Sequence, residues 1–179
     1  MIHAPQGTRM VAADYSAIEA RIVFWLANCV SATSAFASGA DIYLEYASGV
    51  FQRQLTKPDP ERNKIGKPGI LGLGFGMGLA KFMLGLSDEY KQYAKDAVDG
   101  YHKMYPEIRE LHNQFDCAAI AVFSGQQQRV TLATCDISFE RCGDHVKMVL
   151  PSGGHIIYPM AKAVPDPDGF QRYNYAVGS

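Results

Sequence analysis

The sequence predicts an α+β protein, with helices gathered ahead of a small antiparallel sheet. Three observations carry this reading. Apolar residues recur at three- and four-residue steps through much of residues 18–125, the period of amphipathic helices. Beyond residue 125, short runs rich in Val, Ile and Thr are separated by turn residues, the texture of strands and hairpins. One short strand, then helices, then strands is the order of an α+β chain, not of alternating βαβ units. With 47% hydrophobic and 20% charged residues, the chain has the composition of a folded globular protein.

Each element has a local justification. "RMVAAD" reads as a short buried strand ending at Asp14. Ser16 then reads as the N-cap of a helix whose apolar positions are Ile18, Ile22, Trp25 and Leu26, with Glu19 in the first turn, where it suits the helix dipole. "SATSAFASGAD" reads as a loop of small residues, and Asp41 as the cap of a helix, "IYLEYASGVF". "QLTKPDPER" is a connector with two prolines. "SDEYKQYAKDAVDGYHKMY" is an amphipathic helix capped by Ser87 or Asp88. The next begins with Pro106 at its first position and ends at Gly125. "QRVTLAT", "HVKMVLPSG" and "GHIIYPM" are strands, with Pro151–Gly154 as a hairpin turn. A Pro/Asp/Gly-rich segment closes the chain.

Bulk properties narrow the function classes. Net charge is −1, so the whole-chain balance does not mark a nucleic-acid binder. Cys29, Cys117, Cys135 and Cys142 form no CxxC pair, which argues against a zinc site and for free thiols. "MIHAPQGTRM" lacks a signal-peptide core, and no run of 18 apolar residues occurs. A cytoplasmic protein is expected.

Two stretches carry chemistry. "VAADYSAIEARIVFWLANC" reads as core, yet holds Asp14, Glu19 and Arg21. A carboxylate between a strand and a helix can point into a cleft and hold Mg²⁺, which takes one or two carboxylates plus substrate phosphates. It can equally be an N-cap or Asx-turn residue. "IGKPGILGLGFGMG" has six glycines. It fails the P-loop pattern, because Gly66-Lys67 is followed by Pro68, and it lacks the strand and helix of a dinucleotide fold. Each glycine inside a helix costs about 1 kcal/mol relative to Ala. Even so, Asn63, Lys67, Leu71 and Phe75 recur at four-residue steps and would share one helix face. A helix is expected from Gly69 through Phe75, one side kept small so that DNA or another helix can approach.

Together these stretches resemble the A-family DNA polymerases. "DYSAIEAR" matches that family's first motif, D-Y-S-x-I-E-x-R. The second motif, R-x3-K-x7-Y-G, is matched by Lys67 and Phe75-Gly76, and "LPSGGHIIYP" is similar to a hairpin of the phage branch. The resemblance implies template-directed DNA synthesis from dNTPs on primer–template DNA, with two Mg²⁺ ions. It implies catalytic roles for Asp14 and Lys67, and metal contacts from Asp14 and the Tyr15 carbonyl. Nucleotide contacts would come from Ser16, Glu19, Tyr43, Arg62, Asn63, Lys67, Leu71 and Phe75, and DNA contacts from Arg21, Phe75 and Gly76. Glu19 would exclude a 2′-hydroxyl. On this reading the charges of the first stretch line an active site. Residues 1–30 would be palm, 31–125 helical fingers, and 126–179 strands returning to the palm. The setting would be the cytoplasm of a bacterium or of a phage-infected cell.

The chain departs from the family pattern in three places. Asn63 stands where the second motif has Arg, and Arg62 is one residue away, about 100° round an α-helix. Pro68 follows Lys67, so the helix either starts there or is kinked. No His-Asp-Glu, the family's final motif, occurs, so a part of the palm plus the fingers is expected, inactive by itself. Two rivals remain. Single-subunit RNA polymerases share the architecture, but Glu19 argues against them. A non-catalytic DNA-binding remnant is favoured by Asn63 and Pro68.

Overall fold

A computed structural model describes residues 3–165 and 171–174. The helices are α1 (Ile18–Leu26), α2 (Val30–Ala37), α3 (Ile42–Phe51), α4 (Lys67–Gly74), α5 (Leu79–Leu84), α6 (Asp88–Lys91), α7 (Ala94–Met104) and α8 (Pro106–Phe123). A π turn over Arg62–Gly66 runs directly into α4. The strands β1 (Arg129–Thr131), β2 (Ser138–Cys142), β3 (His145–Val149) and β4 (His155–Tyr158) form an antiparallel sheet in sequence order. β5 (Lys162–Pro165) pairs with β6 (Gln171–Asn174). The fold is α+β, as the order of patterns predicts.

Caps and turns behave as their local chemistry dictates. Asp41 Oδ1 accepts the Leu44 N–H at 3.2 Å at the start of α3. Pro106 opens α8, where its missing N–H costs no intrahelical bond. Gly125, at φ 77°, follows the end of α8 and donates to the Val122 carbonyl. β3 and β4 close through the expected turn, with Val149 paired to His155 and the Leu150 N–H bonded to the Gly154 carbonyl.

The glycine-rich segment is helical, ending at Gly74 with Phe75 as its cap. Its glycines admit close neighbours. A Cβ on Gly66 would lie 2.3 Å from the Tyr43 carbonyl oxygen. On Gly69 it would overlap the Tyr46 ring. The small face therefore meets α3. Pro68 falls in the first turn of α4, and the π turn precedes it. In that turn the Lys67 N–H bonds to the Arg62 carbonyl, five residues back. Arg62, not Asn63, thus lies one turn before Lys67, and the regular four-residue stripe starting at Asn63 is broken.

Six further expectations are corrected. Residues 9–14 form no strand and are exposed, because no strand among the described residues pairs with them. Asp14, Glu19 and Arg21 are likewise exposed, not buried. Ser16 does not cap α1. Ala17, left-handed at φ 52°, takes the cap position without a side-chain bond. The buried face of α1 is Ala20, Phe24 and Ala27, while Ile18, Ile22 and Trp25 stay 39%, 47% and 64% exposed. Neighbouring helices set that face: Val23 approaches Gly74, and the Phe24 ring meets Tyr105 at 4.7 Å between centroids. "SATSAFASGAD" is largely α2, with Thr33 Oγ1 donating to the Cys29 carbonyl at 3.0 Å. The segment after Ser87 is two helices, not one: a tight Tyr93 N–H to Tyr90 carbonyl turn separates α6 from α7.

β2 carries no strand signal in the sequence, because "SFERC" mixes buried Ser138 and Phe139 with Glu140 and Arg141. Its charges have partners. Glu140 pairs with Arg129 across the sheet at 2.9 Å. Arg141 Nη1 donates to the Val122 and Phe123 carbonyls at the end of α8, where a cation suits the helix dipole. The helical core centres on Phe24, Tyr46, Tyr101 and Tyr105. Burial pushes all three phenols well above their ordinary pKa, so they stay neutral.

Candidate active site

Two hollows gather most of the candidate residues. The first is a cleft of about 650 Å³ lined by Glu19, Leu71, Phe75, Met77, Lys81 and Phe82. Phe75 is 62% exposed, and its ring is free to meet a flat partner. Gly76 also borders this cleft. α1 contributes Glu19 and α4 contributes Leu71. The stop signal of α4 turns Phe75 outward.

That stop is a Schellman motif. The Gly76 N–H bonds to the Leu73 carbonyl at 3.0 Å and the Met77 N–H to the Gly72 carbonyl at 3.1 Å. Gly76 stands at φ 74°, a conformation costly for a residue with a Cβ. The Met77 side chain covers Gly72, supplying the apolar contact usual in this motif.

The second hollow, about 390 Å³, is lined by Ser16, Arg21, Asp41, Tyr43, Lys57 and Arg62. Arg62 Nε donates to Asp41 Oδ2 at 2.7 Å, and Nη1 donates to Asn63 Oδ1 at 2.8 Å. The Arg62 guanidinium lies over the Tyr43 ring, 5.4 Å from its centroid. Arg21 Nε donates to the Ser16 carbonyl at 3.0 Å, and its guanidinium sits 4.3 Å from the Phe36 centroid. The Tyr43 phenol is pushed above its ordinary pKa. Burial leads, Arg62 opposes, and Asp41 and then Glu19 add to the rise. Glu19 thus lines the first hollow and acts electrostatically on the second. Three cations against one salt-bridged carboxylate make the second hollow suited to an anion.

Other candidates stand apart. Asp14, Tyr15, Asn63 and Lys67 are exposed and line neither hollow. The expected grouping of Asp14 with Glu19 and Phe75 in one cleft is therefore not formed, whereas Glu19 and Phe75 do share one. Among the described residues, no three His, Cys, Asp or Glu side chains converge on a point that could hold a metal. One exposed carboxylate beside the Tyr15 carbonyl does not close a two-ion Mg²⁺ site. The sequence reading missed Lys57, Lys81 and Met77. Asp41 carried a helix-cap signal, but its second role, holding Arg62, has none in sequence. A third hollow, between Trp25 and the β1–β2 loop, contains none of the candidate residues.

The family model for DNA polymerase family A matches residues 1–128. The chain belongs to that family. The chain is similar to DNA polymerase I of Chloroflexus aurantiacus, 32% identical over 114 residues, covering 62% of this chain and 12% of the relative. It is also similar to the DNA polymerase of Mycobacterium phage D29, 36% identical over 117 residues, covering 62% of the chain and 19% of the relative. A thermostable DNA polymerase I from Thermus filiformis is 29% identical over 106 residues, 59% of the chain and 13% of the relative. The chain thus spans less than a fifth of the length of these relatives. The A-family match covers both hollows. Among the described residues no helix is long and apolar enough to cross a membrane.

Proposed function

We propose that this chain supplies the nucleotide-binding part of an enzyme of template-directed DNA synthesis. The observation that carries the reading is that Glu19 lines an aromatic and apolar cleft and also acts electrostatically on Tyr43 in a cationic pocket. A deoxynucleoside triphosphate has the matching halves. Phe75 offers a ring to the base, Leu71 an apolar surface to the sugar, and Arg62, Lys57 and Arg21 positive charge to the phosphates. Glu19, an acceptor-only carboxylate, disfavours an added 2′-hydroxyl by competing for space at the sugar.

In the reaction, a primer 3′-oxygen forms a bond to the α-phosphorus while the bond to the pyrophosphate oxygen breaks. The residues of this chain orient the triphosphate for that in-line displacement and supply charge to it. Lys67 is the proposed proton donor to the departing pyrophosphate. Asp14 and the Tyr15 carbonyl are the proposed donors to one edge of a Mg²⁺ shell. By itself the chain is expected to bind nucleotide and not to extend a primer. Domain assignments follow the resemblance: residues 1–30 palm, 31–125 fingers, 126–179 return to the palm. The proposed setting is the cytoplasm of a bacterium or phage-infected cell.

Primer extension by the full gene product carrying this segment tests the reading. Asp14→Asn should abolish nucleotide addition while the fold, read by circular dichroism, is retained. Full activity in that variant removes Asp14 from the mechanism. Activity with ribonucleotides in the wild type, equal to that with deoxynucleotides, would favour the RNA polymerase reading instead.

A further inference from the structure

At the end of α4 a side chain claims one of the free carbonyls. The last four carbonyls of a helix lack intrahelical donors. At α4 the Schellman bonds occupy Gly72 and Leu73. The next carbonyl, Gly74, accepts from His112 Nε2 at 3.0 Å, across 38 residues of sequence. A carbonyl only accepts, so the proton is on Nε2.

His112 projects from α8 and is half-buried. Its ring lies directly beneath the turn: Cε1 is 3.7 Å and Nδ1 3.8 Å from the point where a Cβ on residue 76 would sit. The ring does not line the nucleotide cleft. The residue after the bonded carbonyl is Phe75, which does. Beside it, the Tyr101 hydroxyl is 3.3 Å from the Cβ point of Gly74 and has no hydrogen-bond partner. The Gly74 carbonyl is therefore held by a directed bond from His112, with the Tyr101 hydroxyl close by on the other side.

We propose that His112 is a positioning residue for the nucleotide cleft: its Nε2–H fixes the Gly74 carbonyl and so sets the turn that presents Phe75. This rests on the nucleotide reading above only for its consequence. The holding of the turn is independent of it. Without the bond, Gly74–Met77 keeps its backbone motif but loses its anchor to α8. The Phe75 ring then samples several directions, and a bound base loses its partner.

The test compares the chain with His112→Phe, which keeps a flat ring without a donor, and His112→Gln, which restores an N–H. Amide exchange at Gly76 and Met77 reads the turn. Titration with a fluorescent dNTP in Mg²⁺ reads the cleft. In His112→Phe, exchange at both amides should rise about three- to tenfold, the worth of one hydrogen bond. The dNTP Kd should rise by a similar factor. His112→Gln should bring both back to within about twofold of wild type. Unchanged exchange in His112→Phe, or equal effects of Phe and Gln, overturns the proposal. A wild-type chain that binds no dNTP, with exchange still raised in His112→Phe, sinks the nucleotide reading and leaves the anchor standing. Should His112→Phe fail to fold, the wild-type nitrogen spectrum decides: a proton on Nε2 coupled to the Gly74 carbonyl supports the anchor, and an Nδ1–H tautomer overturns it.

Discussion

Asp41 serves two partners at once: Oδ1 caps α3 through the Leu44 N–H, and Oδ2 takes Arg62 Nε at 2.7 Å. One side chain therefore ties the start of α3 to the π turn that leads into α4. Both side chains are less than a quarter exposed, so the pair is better shielded from solvent than a surface ion pair.

Removing that carboxylate should cost more than a cap alone. Asp41→Ala should destabilise the fold by about 1–3 kcal/mol, a cap plus a shielded ion pair. Asp41→Asn keeps an oxygen for Leu44 and should lose less. Urea unfolding of Asp41→Asn, Arg62→Gln and the double variant measures the coupling. Additive losses would show that the pair contributes nothing beyond its parts.

The glycines of α4 should not be interchangeable. Gly66→Ala drives a Cβ into the Tyr43 backbone and Gly69→Ala drives one into the Tyr46 ring, so each should lose about 1–3 kcal/mol despite better helix propensity. Gly72→Ala meets only the flexible end of Met77 and should be near neutral or stabilising by up to about 1 kcal/mol. Melting temperatures of the three variants check the ranking. A stabilising Gly69→Ala would mean α4 stands further from α3.

Glu19 and Leu71 face one cleft, and their effects should be on sugar selection. In the full gene product, Glu19→Ala should raise ribonucleotide use relative to deoxynucleotide use. Leu71→Tyr should improve acceptance of dideoxynucleotides. Competition assays in primer extension read both ratios. An unchanged ratio with activity retained would leave Glu19 as a helix-end charge only.

Stability should fall on mild acidification, with His102 contributing. Its pKa is lowered below the ordinary 6.5, first by burial, then by Arg109 and His112, with Asp99 opposing. Between the lowered value and 6.5 the unfolded chain binds more protons than the folded one. Folding free energy from this group is therefore fully present above pH 6.5 and is lost as pH falls through the folded pKa. Melting temperature measured from pH 7.5 down to 5 should drop more steeply in the wild type than in His102→Gln. Parallel curves would show that His102 does not report burial.

The sequence by itself determined what short-range chemistry decides. Asp41 as a cap, Pro106 at a helix start, Gly125 after a helix end and the Pro151–Gly154 turn each depend on backbone groups within a few residues, so residue type suffices. The first-motif match identified the family, because its side chains stand in fixed order. Tertiary structure decided everything that needs a partner far along the chain. Residues 9–14 are strand-like in sequence but join no ladder among the described residues. β2 is a strand because β1 and β3 flank it and Arg141 finds the end of α8. α1 buries Ala20 and Phe24 instead of Ile22 and Trp25 because its crowded side faces other helices. The Asp41–Arg62 bond at the π turn, and the imidazole of His112 under Gly74, lie beyond any local pattern. Hydrogen-bond geometry over tens of residues is set by packing, and no window of sequence contains both partners.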